Sequence, residues 1–348
     1  MDLLINIAYL LAAIGFILGL KLMGNPVKAK LGNYFAVLGM VIAIVASTVL
    51  ILSDSPKVTN VIFLISTLTI GTILGRIMAY KVEMTGMPQL VSLFNALGGA
   101  AALIISINEA YINVDVPLGL LANIALVLGA ILGGIAFTGS IIAYFKLANK
   151  FNIGNQNAVK IVARVMLLTI IGLSITFFLS NILELSFLSF LMLISVLSLL
   201  YGVIFTVPIG GADMPVLISF LNAITGVATA FSGIAFNSPI MLIGGILVGA
   251  TGVYLTMQMC TAMNRSLAVV LTGKITTGDN PTGVNSDIDV QRISAVETAS
   301  LLAFSKKVAV IPGYGMAVAQ AQQACYELQK KLMEKGAELT YIIHPVAG

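Results

Sequence analysis

Leu118-Gly-Leu-Leu-Ala-Asn-Ile-Ala-Leu-Val-Leu-Gly-Ala-Ile-Leu-Gly-Gly-Ile-Ala-Phe-Thr-Gly-Ser-Ile-Ile-Ala-Tyr-Phe145 runs for 28 residues without one charged side chain. A helix that crosses about 30 Å of hydrocarbon needs about 20 largely apolar residues and satisfies its own backbone groups. The stretch therefore reads as a membrane span. Eight more segments have the same character: Leu3 to Met23, Tyr34 to Leu52, Val58 to Tyr80, Met87 to Ile107, Ile161 to Leu179, Leu183 to Val207, Met214 to Phe236 and Pro239 to Met263. The expected fold is an α-helical polytopic membrane protein with about nine transmembrane helices over residues 1–265.

Composition agrees: 59% of the residues are hydrophobic and 9% charged, against about 25% charged in an ordinary soluble domain. The net charge of +4 is too small to suggest a nucleic-acid partner. With no Trp in the chain, Tyr and Phe must supply any interfacial aromatic belt. Two cysteines, Cys260 and Cys325, do not make a disulfide framework. The opening MDLLINIAYLLAAIGFILGL has neither the basic leader nor the small-residue cleavage site of a removable signal, so it is expected to stay as a helix.

Basic residues in short loops mark the cytoplasmic side. Lys28 and Lys30 follow the first span, Arg76 and Lys81 the third, and Lys146, Lys150 and Lys160 the fifth. The intervening loops carry Glu109, Asp115 and Glu184. The N-terminus is thus expected outside and the tail beyond Arg265 inside.

Residues 266–303 are polar, rich in Gly and Asp, and read as a linker. From 304 the periodicity predicts a strand (Val308 to Ile311), a glycine turn, an amphipathic helix (Ala317 to Lys335) and a second strand (Leu339 to Ile343), which together make one βαβ unit. The turn is Gly313-Tyr314-Gly315-Met316-Ala317-Val318. Glycines between a strand and a helix allow close backbone approach, and a helix N-terminus offers free N–H groups to a pyrophosphate. Val318 is bulkier than the usual third small residue, so a plain structural turn stands beside dinucleotide binding at this point.

An internal echo lies in the spans. Met87-Pro-Gln-Leu-Val-Ser-Leu-Phe-Asn-Ala-Leu-Gly-Gly99 and Met214-Pro-Val-Leu-Ile-Ser-Phe-Leu-Asn-Ala-Ile-Thr-Gly226 share seven of thirteen positions. Each copy opens a helix with Pro in the first turn and sets Ser and Asn three residues apart, so Ser92 with Asn95, and Ser219 with Asn222, are expected to point together. Two readings of these side chains stand. They tie neighbouring helices together, or they line a hydrated path on which amides hand hydrogen bonds to water or a proton. Glu83 and Asp213 precede the two copies and are expected at the cytoplasmic mouth, with helix capping the default for Asp213. Arg265 ends the last span as an interfacial anchor. No CxxC, HExxH or GxSxG occurs, and His344 is the only histidine, so the chemistry is expected to belong to a bound cofactor.

PGYGMAVAQAQ followed by IHPVAG resembles the NADP(H)-binding domain of proton-translocating NAD(P) transhydrogenase, and KVEMTGMPQLV, FTGS, GGADMPV and MNRS resemble the membrane helices of its β subunit. The resemblance runs end to end. It implies hydride transfer between NADP(H), on this chain's tail, and NAD(H), on a partner α subunit, coupled to proton movement in a dimeric assembly of protomers in the bacterial inner membrane. It also implies that the tail is the truncated beginning of a Rossmann-like domain. Its NADP(H) contacts would be Gly313, Tyr314, Gly315, Met316, Ala317, Val318, Ala319 and Gln320, then His344, Pro345, Val346, Ala347 and Gly348. Its proton path would use Asn95, Ser140 and Asn222, and Asp213 and Arg265 would meet the nucleotide domain, with Glu83 beside them. Two departures stand out. Some family members carry a titrating histidine where this chain has Asn95. The sequence also stops at Gly348, so NADP(H) is expected to bind poorly to this chain alone and the isolated chain to be inactive. The rival reading is an ion transporter or channel with a vestigial or regulatory nucleotide-binding segment.

Overall fold

A computed structural model describes residues 2–25, 27–53, 58–82, 86–115, 118–148, 156–179, 185–210, 213–263, 266–272, 293–313, 316, 319 and 321–343. Among these, nine helices are long and apolar enough to cross a membrane: α1 (Asp2–Met23), α2 (Ala29–Ser53), α3 (Val58–Lys81), α4 (Met87–Ile112), α5 (Leu120–Leu147), α6 (Gln156–Leu179), α7 (Phe187–Thr206), α8 (Met214–Ala235) and α9 (Pro239–Ala262). They fall on the nine expected segments. The largest offsets are at α2 and α6, which start five residues early, and at α4, which ends five residues late; α7 starts four late behind an N-cap made by Ser186.

The chain groups into two compact units, Met1–Val82 with Pro88–Met257, and Glu83–Met87 with Gln258–Gly348. In the first unit the usual partition of side chains is inverted. Leu, Ile, Val and Phe dominate the exposed surface, as at Ile62, Phe63, Leu168 and Val196, while the buried set is rich in Ala, Gly, Ser and Thr. Between helices in lipid there is no hydrophobic gain, so small residues that let backbones approach take the interior. α3 has no buried residue at all.

α5 is the central helix and packs along both α7 and α8. Its contact with α4 is backbone to backbone, since a Cβ at Gly99 would lie 2.7 Å from Phe137 N and 2.8 Å from Gly133 O. The same device joins α8 to α9, where a Cβ at Gly226 would meet Gly249. α8 ends on Asn237, at φ 50°, with Ser238 N bonded to Gly233 O at 2.8 Å; Asn tolerates this left-handed conformation.

The second unit contains α10 (Leu267–Thr272), α11 (Ala295–Phe304), β1 (Lys307–Val310), α12 (Gln322–Glu334) and β2 (Glu338–Tyr341). β1 and β2 pair in parallel, Lys307 opposite Glu338 through Val310 opposite Tyr341, with α12 as the crossover. α12 stops because Gly336, at φ 83°, takes the left-handed position. Ala337 N then bonds Leu332 O, and Gly336 N bonds Met333 O, the double closure of a Schellman end. α12 is described from Gln322; Ala317, Val318 and Gln320, at the start of the expected helix, lie outside the described residues. Ala321 at its N-cap has no side-chain oxygen to hold the first turn, and its N–H bonds Met316 O five residues back. Strand, helix and parallel strand follow in the expected βαβ order, and two strands by themselves do not establish a Rossmann-like domain.

Candidate functional site

Polar groups inside an apolar bundle need partners, and the bundle collects them where α4 meets α5. Ser92 Oγ donates to the Ser140 carbonyl at 2.7 Å, and Asn95 Nδ2 donates to Ser140 Oγ at 2.8 Å. Ser92 and Ser140 are fully buried and Asn95 nearly so. The three-residue spacing on α4 therefore does bring both side chains onto one residue of α5. Asn95 Oδ1 has no hydrogen-bond partner among the described residues. A buried acceptor left unmade costs about 1–3 kcal/mol, so this oxygen is the group of the cluster ready for a water or a proton donor. Gln89, one turn earlier, donates to Leu147 O at 3.1 Å.

The second copy of the echo behaves differently. Ser219 Oγ turns to α9, donating to Gly252 O at 3.4 Å and accepting from Thr256 Oγ1 at 3.2 Å. Asn222 is half-buried and forms no hydrogen bond with Ser219, Thr256 or Asn95. α8 lies between α5 and α9, and the Ser219 bonds go to α9. The repeat itself is longer than the sequence echo. Gly133 and Ser140 on α5 are seven residues apart, as are Gly249 and Thr256 on α9, and each Gly–hydroxyl pair faces the corresponding Gly and Ser of the preceding copy. Thr256 is thus the counterpart of Ser140.

Asp213 stands at the N-cap of α8 and is 8% exposed, with Pro215 in the first turn. Its side chain makes no capping bond to the helix, so the default reading of it as a cap is not what holds its carboxylate. Its N–H bonds Gly210 O at 3.1 Å. Glu83 and Arg265 lie outside the described residues.

Two groups escaped the sequence reading. Lys146, taken only as a topological marker, reaches back from the end of α5 to the end of α7, where its ammonium donates to Val207 O and, at 2.6 Å, to Ile209 O. A cation there satisfies carbonyls that have no helical partner. Thr206, in the last turn of α7, is fully buried; nothing in the run IFTVPIGG distinguishes it from the many hydroxyls that bond back to their own helix.

In the second unit, Gly313 follows β1 with no atom of the described residues within 4 Å of where a Cβ would stand. Its backbone is open to close approach, which is what a phosphate needs. Met316 and Ala319 are described beside it; Tyr314, Gly315, Ala317, Val318, Gln320 and His344, Pro345, Val346, Ala347 and Gly348 lie outside the described residues.

Nine spans around a hydrogen-bonded polar seam define an integral membrane protein of the polytopic helical class. The family model described as NAD(P) transhydrogenase beta subunit matches residues 5–348, and the chain belongs to that family. Two curated proteins named NAD(P) transhydrogenase subunit beta, both from Rhodospirillum rubrum, are each 35% identical to it over 367 residues, covering 98% of this chain and 74% of the relative. The chain is accordingly an oxidoreductase subunit, and the transporter reading is not favoured.

Proposed function

We propose that the seam between α4, α5 and α8 is the proton path of a proton-translocating transhydrogenase. On this reading the chain couples hydride transfer between NAD(H) and NADP(H) to proton movement. Asn95, Ser140 and Asn222 carry the path, Ser92 and Ser219 fix the faces of α4 and α8, and Asp213 stands at the cytoplasmic mouth with Glu83 and Arg265 as coupling residues. The observation that carries the reading is the buried Asn95–Ser140 bond with the amide oxygen left over. An amide and a hydroxyl do not titrate near neutrality, so they relay hydrogen bonds without holding the charge.

The tail from residue 304 supplies the start of the NADP(H) site at the Gly313 turn and the segment from His344, in a Rossmann-like domain. NADP(H), when bound, supplies or takes the hydride; the residues of this chain orient it and sense which form is present. A partner α subunit holds NAD(H), and the assembly is a dimer of protomers in a bacterial inner membrane. Loop charges support an N-terminus outside and a cytoplasmic tail.

The test uses the enzyme assembled with its α subunit in proteoliposomes, with proton uptake and hydride transfer recorded together. Asn95→Leu and Asn222→Leu are expected to abolish uptake while NADPH binding by calorimetry persists. Uptake that survives both, or that runs without nucleotide, removes the reading.

A further inference from the structure

Thr206 Oγ1 is the one hydroxyl among the described buried residues that meets no hydrogen-bond partner. Threonines in membrane helices commonly donate to the carbonyl four residues back, as Thr225 does to Leu221 O at 3.0 Å; Thr206 does not use Gly202 this way. Its position is defined by Gly139 on α5. A Cβ at that glycine would lie 3.1 Å from Thr206 Oγ1 and 3.2 Å from a methyl of Leu221. The hydroxyl therefore rests against the α5 backbone where α5, α7 and α8 meet, one residue before Ser140 and one residue before Asn222 on the facing helix. Farther along its own chain the Val207 and Ile209 carbonyls take the Lys146 ammonium, and buried Asp213 stands at the start of α8.

We propose that Thr206 is a further residue of the proton path, its hydroxyl holding a water that links the Asn95–Ser140 pair to the Lys146–Asp213 end of the unit. This rests on the reading of Asn95 and Ser140 as path residues. The step balances within the hydroxyl. A proton arriving from the water forms one O–H bond as the original O–H bond releases its proton onward, and rotation restores the group. A hydroxyl committed to Gly202 O could not serve so, because its hydrogen would be taken. Packing alone predicts a valine as good as a threonine here; a relay requires the oxygen.

The experiment compares Thr206→Val, Thr206→Ser and Asn95→Leu in the assembled enzyme in proteoliposomes, reading proton uptake, hydride transfer and thermal unfolding. Loss of a positioned proton-transfer group predicts a fall in uptake by Thr206→Val of about tenfold or more, restored by Thr206→Ser. Thermal stability of Thr206→Val should be unchanged or higher, since a buried hydroxyl without a partner is removed. Normal uptake in Thr206→Val overturns the proposal, as does a loss that tracks a lowered unfolding temperature and is not restored by serine. If Asn95→Leu abolishes uptake and Thr206→Val spares it, only the role of Thr206 falls; if both spare it, the path itself falls.

Discussion

Asn95 on α4 and Ser140 on α5 share a 2.8 Å hydrogen bond inside a bundle whose exterior is apolar, and the amide oxygen of the same Asn95 is left without a partner. Two substitutions at this pair separate stability from function. Ser140→Ala strands the Asn95 N–H in the interior, which costs about 1–3 kcal/mol. Asn95→Leu removes both amide ends, leaves Ser140 free to bond its own helix, and is expected to unfold at a higher temperature than Ser140→Ala. Proton uptake should rank the other way, with Asn95→Leu the more severe. Thermal melts in detergent beside uptake in proteoliposomes decide; matching ranks in the two assays contradict the path.

Gly99 sets the distance between α4 and α5, and with it the geometry of that bond. A methyl there would stand 2.7 Å from Phe137 N, a backbone atom that cannot turn aside. Gly99→Ala is expected to push the helices apart, at the roughly 1–3 kcal/mol typical of overpacking, and to uncouple hydride transfer from proton uptake. A variant that melts and pumps like the parent would show that the contact yields without moving Ser140 from Asn95.

The nine spans were legible because length and apolarity suffice for a helix in lipid, and nothing about packing is needed to see them. The echo located Ser92, Asn95, Ser219 and Asn222, but a spacing of three says only that two side chains lie near one face. Which neighbour occupies that face depends on the order of helices in the bundle, and so Ser92 bonds α5 while Ser219 bonds α9. Lys146 was hidden for a related reason: a basic residue after a span reads the same whether it lies in headgroups or clamps another helix. In the tail, the strands followed from the β-branched runs.

Lys146 joins the end of α5 to the end of α7 by two charge-assisted bonds. Lys146→Met keeps the length of the side chain and removes both, leaving the Val207 and Ile209 carbonyls to water. A loss of about 1.5–3 kcal/mol is expected from hydrogen bonds to a charged group. Lys146→Arg retains the charge and should recover most of it. The check is chemical or thermal unfolding of the three proteins; equal stability of the methionine variant rules out the clamp.

The last prediction concerns α11, which depends on pH through a single carboxylate. Glu297 accepts from the Ser294 backbone N–H and from Ser294 Oγ, each at 2.8 Å, while Ser294 Oγ accepts from Glu297 N at 3.3 Å, completing a capping box. The backbone bond first, and the hydroxyl bond second, hold the Glu297 pKa below the ordinary glutamate value, with slight burial opposing. The folded value is therefore the lower one, so this cap's contribution is fully present above the unfolded pKa and disappears as pH falls through the folded one. Amide hydrogen exchange across Ala295–Phe304, normalised to intrinsic rates, should show protection at neutral pH that fades in acid. Glu297→Gln keeps an acceptor at the same place without a titrating proton, and its protection is expected to be lower at neutral pH and nearly constant with pH. An equal acid-induced loss in both proteins would place the transition elsewhere in the unit.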